Sequence, residues 1–248
     1  LPQQEVDLGF NMPTIVGPGI TFGNGIVIER GLPVPTFDLD AANYSAVPVN
    51  GTTDATGTYT ITVANAGSSI SWNSANGGVF RKSTSSGTDV IYGGPNYVTG
   101  QDYTVFMAYK LSTTANGRLL NTQSEAVKDW LLGSYSSGSN YMNVFYPNGT
   151  VNLSSDVADQ NWHFIWGTFK SSTGVANLYI ATNTQPAGVY KTATNAGFGG
   201  FNQLRLFSRS AGSEVQTADI GFVKAYNSVL ALTDIQAQWA YYRSRFGY

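Results

Sequence analysis

The stretch NWHFIWGTFKSSTGVANLYIAT, residues 161–182, decides the fold class. At strand spacing, Trp162, Phe164, Trp166 and Thr168 point one way, and His163, Ile165, Gly167 and Phe169 point the other. The segment KSSTG at 170–174 supplies a reversal. The return strand then sets Ala176, Leu178 and Ile180 on one side, with Val175, Asn177 and Tyr179 opposite. An isolated hairpin is marginal in water, so one this rich in aromatics requires a sheet and a second layer. Both faces of residues 162–169 are apolar, whereas one face of an antiparallel sandwich ordinarily meets water. Something must cover the second face: an N-terminal arm, a C-terminal helix or a neighbouring subunit.

The composition agrees with a β protein. A length of 248 residues suits one large all-β domain, with or without an arm. Hydrophobic residues make up 42%, enough for a sizeable core. Charged residues make up only 11%, against roughly 25% in ordinary soluble domains. Gly, Ser, Thr and Asn fill the gap, a profile of extracellular or particle-bound β proteins. The net charge of −2 gives no electrostatic footprint for nucleic acid or for an acidic membrane. The chain has no cysteine, which excludes disulfides and thiolate metal sites. No apolar run approaches the ~18 residues of a membrane-spanning helix. The sequence opens at Leu1 with neither Met nor a basic segment leading into an apolar one. A processed start, or numbering that begins after a removed segment, is therefore expected.

Residues 1–36 differ from the remainder of the chain. Pro2, Pro13, Pro18, Pro33 and Pro35 punctuate them, and only GIVIER at 25–30 has strand character. They read as an extended arm or linker lying on a partner or on the domain itself. Their glycines do not have phosphate-loop spacing, and no βαβ unit succeeds them. From residue 37 onward, short Val-, Ile-, Tyr-, Phe- and Thr-rich runs alternate with turns. TFDLD, TYTITV, SISW, TDVIY, YTVFMAYKL, GRLLNT, DWLLGSY, NYMNVFY, QLRLFSR and ADIGFVKAY are strand candidates. Asn-Gly pairs beginning at Asn24, Asn50, Asn76, Asn116 and Asn148 mark tight turns. No fixed period emerges, which argues against a propeller or solenoid. The pattern predicts a two-sheet antiparallel sandwich or jelly roll over residues 37–248. One helix is expected at the end, with Thr233 as N-cap, Gln236 reaching back to it, and Gly247 as terminator. Ile235, Trp239, Tyr242 and Phe246 form its docking face.

Several segments together carry a family resemblance. Asp159, Trp162 and His163 open a strand, and LYI at 178–180 lies on the next one. The closing order is GFVKAYN at 221–227, Leu230, Thr233-Asp-Ile235 and Arg245-Phe-Gly247, and FDLDAANY at 37–44 suits the start of such a domain. The sequence resembles the concanavalin A-like lectin/glucanase superfamily, in its laminin-G-like branch, as found in structural proteins of tailed bacteriophages. The resemblance covers about residues 37–248. It implies a jelly roll of two curved antiparallel sheets. It allows a bound calcium at the rim and glycan binding on loops or on the concave face, and it implies no other cofactor. The glucanase branch carries Glu-x-Asp-x-(x)-Glu on one strand, and this sequence has nothing of that form. A non-enzymatic chain is expected.

The resemblance and the residue pattern together nominate candidate residues. Asp38, Asp40, Asp156 and Asp159, near strand ends, are the calcium candidates, and turn carboxylates bonding local amides are the alternative. Trp72, Trp130, Tyr135, Tyr141 and Tyr146 lie on strands or near turns where rings could stack on sugars; a place in a core or interface is the alternative. His163, the only histidine, reads as structural. The resemblance implies a virion component in head decoration, neck or tail, at the particle surface or otherwise extracellular. The arm would dock it on other virion proteins, as a homo-oligomer with a trimer favoured, and it would touch host-surface glycans weakly. A lectin-type module whose main task is carbohydrate binding is the alternative. A glycoside hydrolase is the remote one.

Overall fold

A computed structural model describes residues 19–21, 27–29, 31–64, 69–85, 89–97, 101–113, 117–123, 130–137, 140–148, 152–182, 186–194, 200–209 and 213–248. Strands β1 (Gly19–Thr21) and β2 (Val27–Glu29) pair antiparallel as a sheet of their own. The rest of the proposed arm up to residue 30 lies outside the described residues.

The larger strands fall into two sheets. In chain order they begin with β3 (Phe37–Asp40), β4 (Thr62–Ala64), β5 (Ile70–Asn73), β6 (Val79–Lys82) and β7 (Val90–Tyr97). Next come β8 (Tyr103–Leu111), β9 (Leu120–Thr122), β10 (Leu131–Ser137), β11 (Asn140–Tyr146) and β12 (Leu153–Val157). The last are β13 (Trp162–Lys170), β14 (Val175–Ala181), β15 (Gly188–Ala193), β16 (Phe201–Leu206) and β17 (Ala218–Tyr226). One sheet has seven strands in the order β12-β11-β10-β9-β16-β7-β4. The other has eight: β15-β14-β13-β8-β17-β6-β5, with β3 also pairing to β17. All the pairings within these sheets are antiparallel. The all-β sandwich expected from the sequence is the fold observed.

The two sheets bury one core between them. Ile91, Leu120, Leu132, Phe145 and Leu204 come from the seven-stranded sheet, and Val105, Met107, Ile165, Leu178 and Val223 from the other. Each large apolar side chain fully buried there contributes about 1.5–3 kcal/mol. A second apolar layer lies on the opposite face of the eight-stranded sheet. It contains Phe106 and Ala108 of β8, Trp162, Phe164 and Trp166 of β13, and Phe222 and Tyr226 of β17. The alternation read from residues 161–182 therefore holds, with Ile165 and Phe169 facing between the sheets and the tryptophans facing away.

The cover for that second face is the C-terminal helix α1 (Leu232–Tyr242) with the 3-10 turn Arg243–Phe246. Ile235 and Phe246 are buried against the sheet, and Trp239 and Tyr242 pack on it. Polar bonds fix the register. The Trp166 indole N–H donates to Gln238 Oε1 at 2.9 Å, and Gln238 Nε2 donates to the Tyr226 hydroxyl at 2.6 Å. Gly221 makes room for the lid, because a Cβ there would collide with the Phe246 ring. Gly247, at φ 82°, ends the turn as its sequence position suggested.

One local expectation is corrected. Thr233 is not the N-cap; Ala231 holds that position with no side-chain capping bond. Gln236 does not reach back, and its amide instead donates to the Ala187 carbonyl at 3.3 Å. The tertiary bond to the segment before β15 takes the group that a capping box would have used. Among the turns, Asn76 and Gly77 both have positive φ, 52° and 73°, and reverse β5 into β6. Asn24, Asn116 and Gly149 lie outside the described residues.

Candidate functional site

Strands β10 and β11 pair with Leu131 opposite Tyr146 and Tyr135 opposite Met142. Their neighbours Leu132 and Phe145 enter the inter-sheet core, so alternation turns Leu131, Tyr135 and Tyr146 to the outer face. Gly133 separates the two β10 residues at φ 126°, where a Cβ would crowd Leu119 at 2.9 Å and Met107 at 3.0 Å. The Tyr135 and Tyr146 rings meet edge to face, their centroids 6.1 Å apart and their planes at 86°. Both are half-buried, so each still presents ring surface to solvent.

Arg118 sets the position of this pair. Its guanidinium carbon lies 5.6 Å from the centre of the Tyr135 ring. Its Nε donates to Glu214 at 2.5 Å, and Glu214 also accepts from Arg209 at 3.1 Å. A recess of about 70 Å³ opens between Arg118, Leu131, Tyr135 and Tyr146. It suits the edge of one small ring rather than an enclosed ligand. Its chemistry is a π face bordered by phenol hydroxyls and a neutralised guanidinium. Apolar C–H groups can rest on such a face while adjacent hydroxyls find donors and acceptors.

The other aromatic candidates are placed differently. Trp130 is 0% exposed, its indole N–H donates to the Tyr103 hydroxyl at 3.0 Å, and its ring lies 4.7 Å from Phe201. It is a core residue with no surface to offer a sugar. Trp72 is half-buried against the main core and donates to the Ala41 carbonyl at 2.9 Å. The Tyr141 side chain lies outside the described residues. Of the five rings, the structure brings Tyr135 and Tyr146 together.

The carboxylates divide as well. Lys224 Nζ lies 2.7 Å from Asp38 Oδ1 and 3.6 Å from Asp40 Oδ2, while Arg245 Nη1 donates to Asp40 Oδ1 at 2.7 Å. Burial works against the Lys224 charge, but Asp38, then Tyr242 and Asp40, outweigh it and hold the ammonium above its usual range. Calcium needs a cage of oxygens whose charge the ion itself neutralises. Here an ammonium and a guanidinium already do so, and the Asp38–Asp40 pair does not fit the ion. Among the described residues, no group of three or more His, Asp or Glu is placed to hold a metal.

Asp159 accepts from the Asn161 backbone N–H and side-chain amide, both at 2.7 Å, and lies 2.9 Å from His163 Nε2. Burial alone would raise its carboxyl, but Asn161 and His163 outweigh it and hold it below the usual carboxylate range. The Asp156 side chain lies outside the described residues. His163 stacks on Tyr109 at 5.3 Å with its Nδ1 3.4 Å from Asn143 Nδ2, so it sits in a buried network between the sheets. Sequence reasoning missed Arg118 and Glu214, because their pairing spans 96 positions. It also passed over Lys224, although a lysine inside the apolar run GFVKAY signals a buried charge in need of a partner.

The sequence matches no family model, and no curated protein matches it. Solved structures do resemble the fold. The receptor-binding domain of botulinum neurotoxin type G is similar with a TM-score of 0.58 and 14% identity, over 84% of this chain and 51% of that one. Domain 4 of AbnA, an extracellular arabinanase from Geobacillus stearothermophilus described in complex with arabinotriose, gives 0.58 and 16%, over 82% and 96%. The binding domain of Paraclostridial Mosquitocidal Protein 1 gives 0.60 and 12%, over 86% and 52%. This chain thus spans about half the length of the toxin binding domains and nearly all of the arabinanase domain. At these identities the likeness establishes architecture: the chain has the β-sandwich fold found in these binding domains.

Proposed function

We propose that this chain is a carbohydrate-binding module of lectin type, without catalytic activity. The observation that carries the reading is the Tyr135–Tyr146 pair, two solvent-reaching rings fixed edge to face over Leu131 and backed by Arg118. A rigid aromatic ledge of this kind binds sugar C–H faces at little cost in side-chain order. The neighbours support it: the arabinanase domain was described with arabinotriose, and a botulinum neurotoxin serotype D ligand-binding domain with N-acetylneuraminic acid. They favour the lectin reading over a purely architectural virion part. Against a hydrolase, Lys224 and Arg245 each hold one oxygen of Asp38 and Asp40, the carboxylate pair at strand spacing among the described residues. Placed on a virion, the same module would act by touching host glycans, and immunolabelling of purified particles tests that placement.

The direct test is a glycan array with the intact chain, repeated with Tyr135→Ala and Tyr146→Ala. Saturable binding that both variants lose supports the proposal. Binding that neither variant changes removes the tyrosine ledge as the site, and a blank array returns the chain to an architectural role.

A further inference from the structure

A second surface has the dimensions of a ligand site. An open cleft of about 590 Å³ lies between the start of the domain, the β17 strand and the C-terminal turn. That volume falls in the usual range of about 300–1,000 Å³ for small-molecule sites. Its floor is the Asp38–Lys224–Asp40–Arg245 cluster, and its wall is Tyr241, Tyr242 and the exposed Asn43 and Ser244. Tyr241 is 50% exposed and meets the Tyr242 ring nearly at right angles, 4.8 Å away, so its outer face is free for stacking.

The floor does more than fasten the lid. Arg245 spends most of its donors on protein: Nε on the Asn76 carbonyl at 2.6 Å, and Nη2 on Gly78 at 2.7 Å and Gly221 at 3.3 Å. Asp38 Oδ1 is taken by Lys224, and Asp40 Oδ1 by Arg245 and the Ala42 N–H. Asp38 Oδ2 has no donor among the described residues, and the contact of Asp40 Oδ2 is Lys224 at 3.6 Å, beyond hydrogen-bond reach. Two acceptors are left next to an aromatic wall. Two carboxylates answer one ammonium and one guanidinium, with the buried Asp54 behind them, its Oδ2 accepting the Asp38 N–H at 2.9 Å. An anion entering the cleft meets carboxylates. A cation meets Lys224 and Arg245. Uncharged vicinal hydroxyls meet two waiting acceptors and a ring.

We infer that this cleft is a second saccharide site, selective for uncharged sugars and independent of the tyrosine ledge. The inference rests on the chain being a glycan binder, and the experiment separates the two claims. The intact chain is titrated with arabinotriose and maltotriose, both neutral, and with 3′-sialyllactose, while NMR shifts are followed. The neutral sugars are expected to shift Asn43, Tyr241 and Ser244. Tyr241→Ala, at an exposed position that leaves folding intact, is expected to weaken this response about two- to tenfold, the range of one aromatic contact. Tyr135→Ala is expected to leave it unchanged. Neutral-sugar shifts confined to the surroundings of Tyr135 and Tyr146 overturn the cleft and preserve the lectin reading. Sialyllactose acting on the cleft as strongly as the neutral sugars overturns its selectivity. No shift from any of the three sugars up to their solubility limit overturns both.

Discussion

The two sheets treat their outer faces in opposite ways. The eight-stranded sheet turns Phe106, Trp162, Phe164, Trp166 and Phe222 outward and needs α1 and the turn after it to seal them. The seven-stranded sheet turns out Leu131, Tyr135 and Tyr146 beside Arg118, and its rings keep contact with solvent. The same residue class, aromatics on strands, is stabilising material on one side and a candidate recognition surface on the other. What separates them is cover: the rings of one face lie under the helix and its following turn, and those of the other stand beside an arginine. Aromatic content alone therefore says little about function, and the face a ring occupies says much more.

The comparison makes unequal demands on mutations. Trp166→Ala is expected to be the most damaging. It removes a fully buried ring stacked on Phe106 at 4.2 Å and strands Gln238 Oε1, for a loss of about 3–5 kcal/mol in denaturant unfolding. Loss below about 1 kcal/mol would mean that the lid is not integral to the sheet. Lys224→Met comes next. It leaves Asp38 and Asp40 facing each other with Arg245 alone, and breaking such a buried pair costs roughly 3 kcal/mol. Tyr135→Ala should barely move the melting transition, within about 1 kcal/mol, because its ring is half-exposed and outside both cores. A large loss there would erase the contrast between the faces.

The smallest effect concerns acid. The Asp159 carboxyl is held below its usual range in the folded chain, so its contribution is complete above the unfolded value. That contribution is lost as pH falls through the lower folded value. Asp159→Asn should flatten this part of the stability–pH curve by lowering stability slightly at neutral pH and leaving the acid end nearly unchanged, and urea unfolding from pH 7 down through a window of about three units around the free carboxyl would show it.

Much of this contrast is legible in the residues themselves, and the illegible parts have definite causes. The alternation in β13 and β14 reports both faces correctly, and the doubly apolar strand demands the cover that α1 supplies. Trp130 could have been assigned by the same rule: in DWLLGSY it shares parity with Leu132, whereas Tyr135 shares parity with Leu131. A tryptophan and a tyrosine on opposite faces of one strand cannot form one binding surface. Strand β15 escaped because a short polar strand at a sheet edge carries little apolar signal, and β6 because four residues with Val79 and Phe80 both buried are too few to show an alternation. The Arg118–Glu214 and Arg245–Asp40 pairs escaped because nothing local joins residues 96 and 205 positions apart.

That last span bears on how the domain is made. Arg245 joins Asp40, Asn76, Gly78 and Gly221, and Phe246 fills the notch over Gly221. On a ribosome, the first of these partners emerges long before the last. Until residues 232–248 emerge, the aromatic face of the nascent sheet has no lid, and nascent chains crowded on one message would offer these faces to each other. Residues 232–248 therefore work as a switch written in packing: their arrival converts an open aromatic face into a closed domain. Stalling translation before residue 232 clears the ribosome should yield chains that chaperones retain.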